Sequence, residues 1–199
     1  MNFTSDSSFN ISKSDADTYQ IAKVLIIGKF TSLRFDESKG LTTVTWIGGT
    51  NGWNRMFPTP AADMGFRMFE FCSKLTHVPG MTGYGTAPPA GIMNSMQQTF
   101  KSCSVFDGDI SSWDVSTATS FLGTFDSCLL FNQDIDTWNV GNGLDFSHMF
   151  SEASLFDQPL NSWTVTKGKT FAYMFYKAQA FNKPLNNLTL TALNADPVD

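Results

Sequence analysis

Residues 116–140, STATSFLGTFDSCLLFNQDIDTWNV, and residues 141–165, GNGLDFSHMFSEASLFDQPLNSWTV, decide the fold of this chain. Aligned without a gap, the two units carry apolar residues at the same positions, and the alignment extends by one unit on either side with a step of 25 residues. The main columns are Phe100, Phe125, Phe150 and Phe175; Phe106, Phe131, Phe156 and Phe181; Ile110, Ile135, Leu160 and Leu185; Trp113, Trp138, Trp163 and Leu188; and Val115, Val140, Val165 and Leu190. A constant step of this length indicates repeat units that stack and bury one continuous core.

Within one unit, the spacing of apolar residues predicts two kinds of secondary structure. Trp138 and Val140 flank the polar Asn139, and this alternation predicts a short half-buried strand. Ser116 is a predicted N-cap, because three- and four-residue spacings typical of a short helix follow it. These spacings separate Ala118, Phe121, Leu122, Phe125 and Cys128. Since leucine-rich repeats have 20–29 residues, we predict an α/β repeat, a leucine-rich-repeat-like solenoid with short parallel strands and short helices.

The predicted organisation has four parts. Residues 1–60 form an N-terminal β-rich cap, in which IAKVLIIGKFTSLRF and LTTVTWIGG are expected to pair as a hairpin. Residues 61–95 form a divergent first repeat with a Gly- and Pro-rich insertion, GMTGYGTAPPAGI. Residues 96–190 hold four 25-residue repeats, and residues 191–199 form a C-terminal tail without a predicted helix to cover the last unit. The divergent repeat places Phe69, Cys72 and Leu75 where the next unit has Phe100, Cys103 and Phe106, at a step of 31 residues.

The charge balance excludes several classes of protein. The chain has 13 Lys and Arg against 18 Asp and Glu, so its net charge is -5 and no cationic surface is expected for a phosphate backbone. No stretch approaches the roughly 18 consecutive apolar residues of a membrane span. The N-terminal MNFTSDSSFNISKSDADTYQ has neither the basic start nor the apolar region of a secretory signal. We therefore expect no nucleic-acid partner and no membrane insertion, and no signal peptide is visible in the sequence.

The repeats resemble a known family. SFLGTFDSCLLFNQDIDTWNV and HMFSEASLFDQPLNSWTV look like the BspA-type leucine-rich repeat of the mycoplasma surface-lipoprotein class, with its MF, FN and W-[DN]-V elements. WIGGTNGWNRMF and FEFCSKLTHVP resemble the entry segment of that family, so the resemblance runs from Val24 to Leu190. It implies a scaffold of surface-exposed proteins from bacteria, protists and some viruses, used in adhesion or recognition, without catalytic residues. The chain departs from the family in lacking its usual export signal and in carrying Leu188 in place of Trp.

Three cysteines occupy the same slot of successive units. Cys72, Cys103 and Cys128 are followed in that slot by Ala153 and Ala178. The slot therefore favours a small buried residue, which a free thiol satisfies. The sequence favours packing of these side chains over an odd disulfide or a reactive thiol.

Polar residues follow the second Phe of each unit. Stacked at one height, they would accept hydrogen bonds from turn amides, which is the common use of Asp and Asn in turns. A column of hard oxygens is also a possible calcium site, although Pro159 and Pro184 interrupt it. The calcium alternative rests on Asp107, Asp109, Asn132 and Asp134. Apart from this alternative, we predict no metal and no cofactor.

Residues that the periodic core does not require are the candidates for a ligand site. Trp53 and Tyr84 lie outside the regular units, and the outward position of the predicted strand carries Asp114, Asn139 and Thr164. No enzyme motif with a nucleophile or a metal site occurs, so we predict no catalytic residues. We predict a non-enzymatic recognition or adhesion module that binds a glycan or a protein on another surface. The alternative is a structural or decoration component of a virus particle or other assembly, a homo-oligomer formed through the open solenoid end. Either function predicts an extracellular-surface or virion location.

Overall fold

The computed structural model describes residues 65–80, 87–88 and 90–185, together with the backbone of two short strands. Strand β1 (Phe9–Asn10) and strand β2 (Leu33–Arg34) pair in parallel. The hairpin predicted within residues 21–49 lies, apart from β2, outside the described residues. No helix occurs in the part of the chain that the structure describes, and this part therefore contains no helix that could cross a bilayer.

Backbone hydrogen bonds join each unit to the next through one segment, which we call the turn ladder: residues 96–103, 121–128, 146–153 and 171–178. The N–H of Phe121 donates to the carbonyl of Asp145 at 2.7 Å, and the N–H of Phe125 donates to Met149 at 2.9 Å. The next pair of units repeats the pattern, with the Phe150 N–H donating to the carbonyl of Met174 at 2.8 Å. Equivalent backbone positions are therefore held at one constant register along the stack.

Alternate amides of the turn ladder bond within their own unit instead. The N–H of Thr124 donates to Phe121 and that of Asp126 to Gly123, both at 3.2 Å, which makes consecutive tight turns. Such turns place certain residues at positive φ, the conformation that glycine adopts without cost. One column with positive φ contains Gln98, Gly123, His148 and Tyr173, and a second contains Ser102, Ser127, Glu152 and Lys177.

The short helix predicted over residues 118–128 is wrong. In a helix the amides beyond the first turn would bond within the segment, whereas here alternate amides along the whole segment reach the neighbouring unit. The buried residues keep three- and four-residue spacing because the tight turns also return side chains to the core at that interval. The predicted strand is also wrong, since residues 138–140 do not form a strand. Isolated parallel bridges occur at another position of the units, between Ser120 and Asp145 and between Asp145 and Thr170.

Stacked phenylalanine rings form the centre of the core. The ring centroids of Phe100 and Phe125 lie 5.7 Å apart with an interplanar angle of 4°, and those of Phe125 and Phe150 lie 5.6 Å apart at 11°. Phe131 belongs to a second, parallel column, and its ring lies 3.9 Å from that of Phe125. The rings of Phe100, Phe125, Phe131 and Phe150 are all completely buried. The described units therefore share one continuous aromatic core.

The segment upstream of the regular units stacks on the first of them. The N–H of Phe69 donates to the carbonyl of Thr99 at 2.8 Å, and the Phe69 ring stacks on Phe100 at 5.4 Å. Of the Gly- and Pro-rich insertion that lengthens this step, residues 81–86 and 89 lie outside the described residues.

Buried polar side chains bond to the main chain of the preceding unit. The indole N–H groups of Trp138 and Trp163 donate to the carbonyls of Ile110 and Ile135, at 3.1 and 3.0 Å. Both Trp side chains point inward, so these rings are unavailable as a stacking surface for a ligand. Because a buried donor without a partner costs about 1–3 kcal/mol, these bonds help to fix the register between units.

Phe125→Ala should lower the free energy of unfolding by about 3–5 kcal/mol, because the neighbouring rings cannot fill the cavity it leaves. Urea unfolding followed by tryptophan fluorescence measures the change. Leu155→Ala is the control, since this side chain is 50% exposed, and it should change the free energy by less than about 0.5 kcal/mol. Equal losses in the two variants would contradict a shared aromatic core.

Candidate functional site

The predicted ligand residues divide into two groups. Trp53 and Tyr84 lie outside the described residues. Asp114, Asn139 and Thr164 form one column on the outer surface, with Asn139 and Thr164 exposed. The structure therefore brings three of the five predicted residues together.

Two members of this column use their side chains to hold their own turns. The Asp114 carboxylate accepts a hydrogen bond from the Ser116 N–H at 2.9 Å, and the Asn139 side-chain oxygen accepts one from Gly141 at 3.1 Å. Partial burial would raise the pKa of Asp114, but hydrogen bonds from Ser116 and Gly91 outweigh it and lower the pKa. The column thus stabilises turns and leaves Thr164 as its most available member.

The polar residues after the second Phe of each unit form a hydrogen-bonded ladder. The Asp107 carboxylate accepts the N–H of Asn132, whose side-chain oxygen accepts the N–H of Asp157, and Asp157 accepts that of Asn182. Each of these bonds measures 2.9 Å. The side chains therefore bind the backbone of the next unit.

The oxygens of the calcium alternative are engaged in main-chain bonds. Asp109 accepts the N–H of Ser111 and Asp134 accepts that of Asp136, both at 2.9 Å, within their own units. Hydrogen bonds from Ser111 also lower the pKa of Asp109. Among the described residues, no group of three or more His, Cys, Asp or Glu side chains is arranged to hold a metal ion.

Millimolar calcium chloride should leave the thermal midpoint within about 1 °C of that of the EDTA-treated protein, because these carboxylates already hold main-chain amides and a cation that does not bind adds no stability. Differential scanning fluorimetry measures the midpoint. Asp134→Asn is the matched variant, since it keeps the turn acceptor and removes the charge. A calcium-dependent rise of several degrees that Asp134→Asn abolishes would establish a calcium site at this position.

The cysteine column is buried and hydrogen-bonded. The Cys103 thiol donates to the carbonyl of Phe69 at 3.0 Å, and the Cys128 thiol donates to that of Phe100 at 2.8 Å. Burial raises the pKa of both thiols well above the usual value, because a thiolate would lose its hydration. These contacts agree with the predicted packing role.

The native protein should react slowly with Ellman's reagent at pH 8, because a protonated and inaccessible thiol is a poor nucleophile. In guanidinium chloride all three cysteines should react. Because the folded-state pKa values are raised, the folded state favours the protonated thiols. This preference stabilises the folded state at pH values below the pKa of an unfolded thiol. The stabilisation is lost as the pH rises from that pKa toward the raised folded-state pKa. A rapid phase of one equivalent in native buffer would show that one thiol is accessible.

An exposed set of aliphatic side chains crosses three units, and we call it the aliphatic column. Val105, Leu130 and Leu155 occupy one slot at intervals of 25 residues and are 39%, 43% and 50% exposed. Leu129 lies beside them and is also exposed. Isolated exposed apolar residues are ordinary, but a contiguous set on a polar surface is a candidate contact site.

A second exposed group, the tyrosine cluster, consists of His148, Glu152, Tyr173, Tyr176 and Lys177. The rings of His148 and Tyr173 stack at 5.0 Å, and Tyr173 meets Tyr176 edge to face at 5.8 Å. The Lys177 ammonium lies 2.9 Å from the Glu152 carboxylate and 5.0 Å from the centre of the Tyr176 ring. Their hydrogen bond lowers the pKa of Glu152 and raises that of Lys177.

Sequence reasoning missed the tyrosine cluster, although the repeat alignment contains its signal. Tyr173 stands in the slot that holds Gly123 and His148 in the two preceding units. Tyr176 stands where those units have Asp126 and Ser151. Aromatic residues thus appear at outward positions where a repeat core does not require them.

The last described unit is less buried than the others. The rings of Phe171, Phe175 and Phe181 are only partly buried, although they stack on rings of the preceding unit. The equivalent rings of that unit, Phe146, Phe150 and Phe156, are completely buried. Among the described units, this one therefore presents partly exposed apolar rings at the end of the stack.

More than half of the chain matches the model of a known protein family. The model of a family described as "Mycoplasma protein of unknown function, DUF285" matches residues 91–195. No curated protein and no solved structure matches the chain.

Proposed function

This chain belongs to that family, since the match covers 105 of its 199 residues, and we propose that it is a non-enzymatic module that recognises a glycan or a protein on another surface. The finer assignment to BspA-type leucine-rich repeats, and to a leucine-rich-repeat-like solenoid, is part of this proposal. It is supported by the 25-residue step and by the W-[DN]-V element of the units. The proposed location is an extracellular or virion surface.

The observation that carries the proposal is the aliphatic column. Three units present Val105, Leu130 and Leu155 to solvent at one repeating position, on a chain in which only 16% of residues are charged. Burial of these side chains by a partner would release about 25 cal/mol for each Å² of apolar surface. Hydrogen bonds between units hold the column in a fixed arrangement, which limits the entropy lost on binding.

The polar surface around the column suits an uncharged or weakly charged partner. Asp107 and Asn132 already accept backbone hydrogen bonds, and Lys101 is paired with Asp126 at 2.7 Å. With only 16% of its residues charged, the chain offers little electrostatic steering for a strongly ionic ligand, and contact is expected to depend on shape and hydrogen bonding.

The purified chain should bind a restricted set of probes on arrays of immobilised glycans and of extracellular protein domains. Leu130→Ser combined with Leu155→Ser should weaken binding to a protein probe by at least about tenfold, because hot-spot contacts are buried at an interface centre. Biolayer interferometry with the selected probe measures the affinity. Asn139→Ala combined with Thr164→Ala is the matched control on the other outward column. Loss of binding in that variant alone would show that the binding site lies on that column.

The partly exposed rings of the last described unit support a second function, a structural component of a virus particle or other assembly. Phe171, Phe175 and Phe181 would become buried if another protein surface stacked on this end of the described units. The expected assembly is a homo-oligomer or a particle in which the chain decorates a larger surface.

Multi-angle light scattering across micromolar concentrations distinguishes the two functions. A stable oligomer that Phe181→Ser converts to a monomer supports assembly through this end, because the change removes one of the partly exposed rings. Leu155→Ser is the control for nonspecific association through the side of the stack. A monomer at all concentrations, together with selective binding on an array, supports recognition.

A further inference from the structure

The tyrosine cluster combines apolar ring surface with polar groups in a small area. Tyr173 is 61% exposed and Tyr176 is 48% exposed. Their ring centroids lie 5.8 Å apart with the ring planes at 90°. Two aromatic surfaces of different orientation are therefore close together and accessible to solvent.

The position of Tyr173 is fixed by its neighbours. Its ring stacks on His148 with an interplanar angle of 19°, which supports one ring face and leaves the ring mostly exposed. Its backbone has a φ of 57°, a conformation that is uncommon for a bulky residue. The ladder bond from the His148 N–H to the carbonyl of Ala172, at 2.9 Å, holds the adjacent backbone in register. A ligand would thus meet a ring that is already oriented.

The polar part of the cluster is electrically balanced. Glu152 and Lys177 form an ion pair at 2.9 Å, and Ser127 is 3.5 Å from the other Glu152 oxygen. Carboxylate oxygens have several lone pairs and an ammonium has three donors, so each can accept or donate further hydrogen bonds. An anion would compete with Glu152 for Lys177, and a cation would compete with Lys177 for the Tyr176 ring. An uncharged polar ligand displaces neither group.

We propose that the tyrosine cluster binds the pyranose ring of a neutral saccharide, with Tyr173 as the stacking surface and Glu152 and Lys177 as hydrogen-bonding partners of ring hydroxyls. A pyranose has an apolar C–H face and a rim of hydroxyls, the same division that the cluster presents. The neighbouring Tyr176 ring provides a second aromatic contact and limits the orientation of the sugar. This inference rests on the proposed recognition function and specifies one ligand class and one site for it.

The test uses the full chain labelled with ¹³C in its tyrosine rings, and the four tyrosines give few signals. Tyr173→Phe and Tyr176→Phe assign the two signals of the cluster. The probes are glucose, galactose, mannose and N-acetylglucosamine, each as the free sugar and as a β-linked trisaccharide. We expect saturable shifts of the Tyr173 and Tyr176 signals with at least one trisaccharide.

The variants separate stacking from folding. Tyr173→Ala should weaken the affinity by at least about tenfold, and Tyr173→Phe should stay within about threefold, because the stacking face is retained. Glu152→Gln should weaken it by about threefold or more, through loss of a charge-assisted hydrogen bond. Ser112→Ala, at an exposed residue that belongs neither to the cluster nor to the aliphatic column, should leave the affinity unchanged. The thermal midpoints of the variants check that each remains folded.

Three results would overturn the inference. Saccharide binding that survives Tyr173→Ala and Tyr176→Ala would place the sugar elsewhere and leave the recognition function intact. Absence of saccharide-induced shifts, in a chain that still binds a protein probe, would remove the sugar site alone. Absence of binding to every array probe, with no saccharide-induced shifts, would remove both the site and the recognition function.

Discussion

Hydrogen bonding between consecutive units is the constraint on which the rest of the structure depends. Because alternate amides of the turn ladder donate to the next unit, equivalent residues lie directly above one another. That register sets the separation of the stacked rings, which is 5.7 Å between Phe100 and Phe125. It also brings the indole of Trp138 to the carbonyl of Ile110 and the side chain of Asn132 to the amide of Asp157. Core packing and polar contacts are thus consequences of one repeated backbone bond.

The core was predictable from the sequence, whereas the secondary structure was not. Periodicity identifies which residues share an environment, so Phe125, Trp138 and Cys128 could be assigned to the interior from their columns. It does not identify how the backbone satisfies its amides. A helix and a series of tight turns both return apolar residues at three- and four-residue intervals, and only the partner of each N–H distinguishes them. Positive φ at Glu152 had no sequence signal, because no residue of its column is glycine.

For the candidate sites, too, the columns of equivalent residues predicted some contacts and not others. The Asp107 and Asn132 ladder follows from stacking polar residues at one height, so its role as an acceptor of turn amides could be predicted. Asp114 and Asn139 were expected to meet a ligand, but their oxygens cap local turns. The tyrosine cluster escaped prediction because it depends on Tyr173 and Tyr176, which differ from the other members of their columns. Periodicity identifies the residues that the units share, whereas the tyrosine cluster consists of residues in which one unit differs from the others.

The nearest-neighbour nature of the contacts has a consequence for how this molecule loses its structure. Among the described residues, the backbone bonds of the turn ladder join a unit only to the units directly before and after it, so these bonds do not tie distant units together. Stability in such an array is a sum of terms along one dimension, and an outer unit has one interface fewer than an inner one. Melting can therefore begin as fraying of the less buried last described unit and proceed inward. Cooperativity is then set by the coupling at each junction rather than by the chain as a whole.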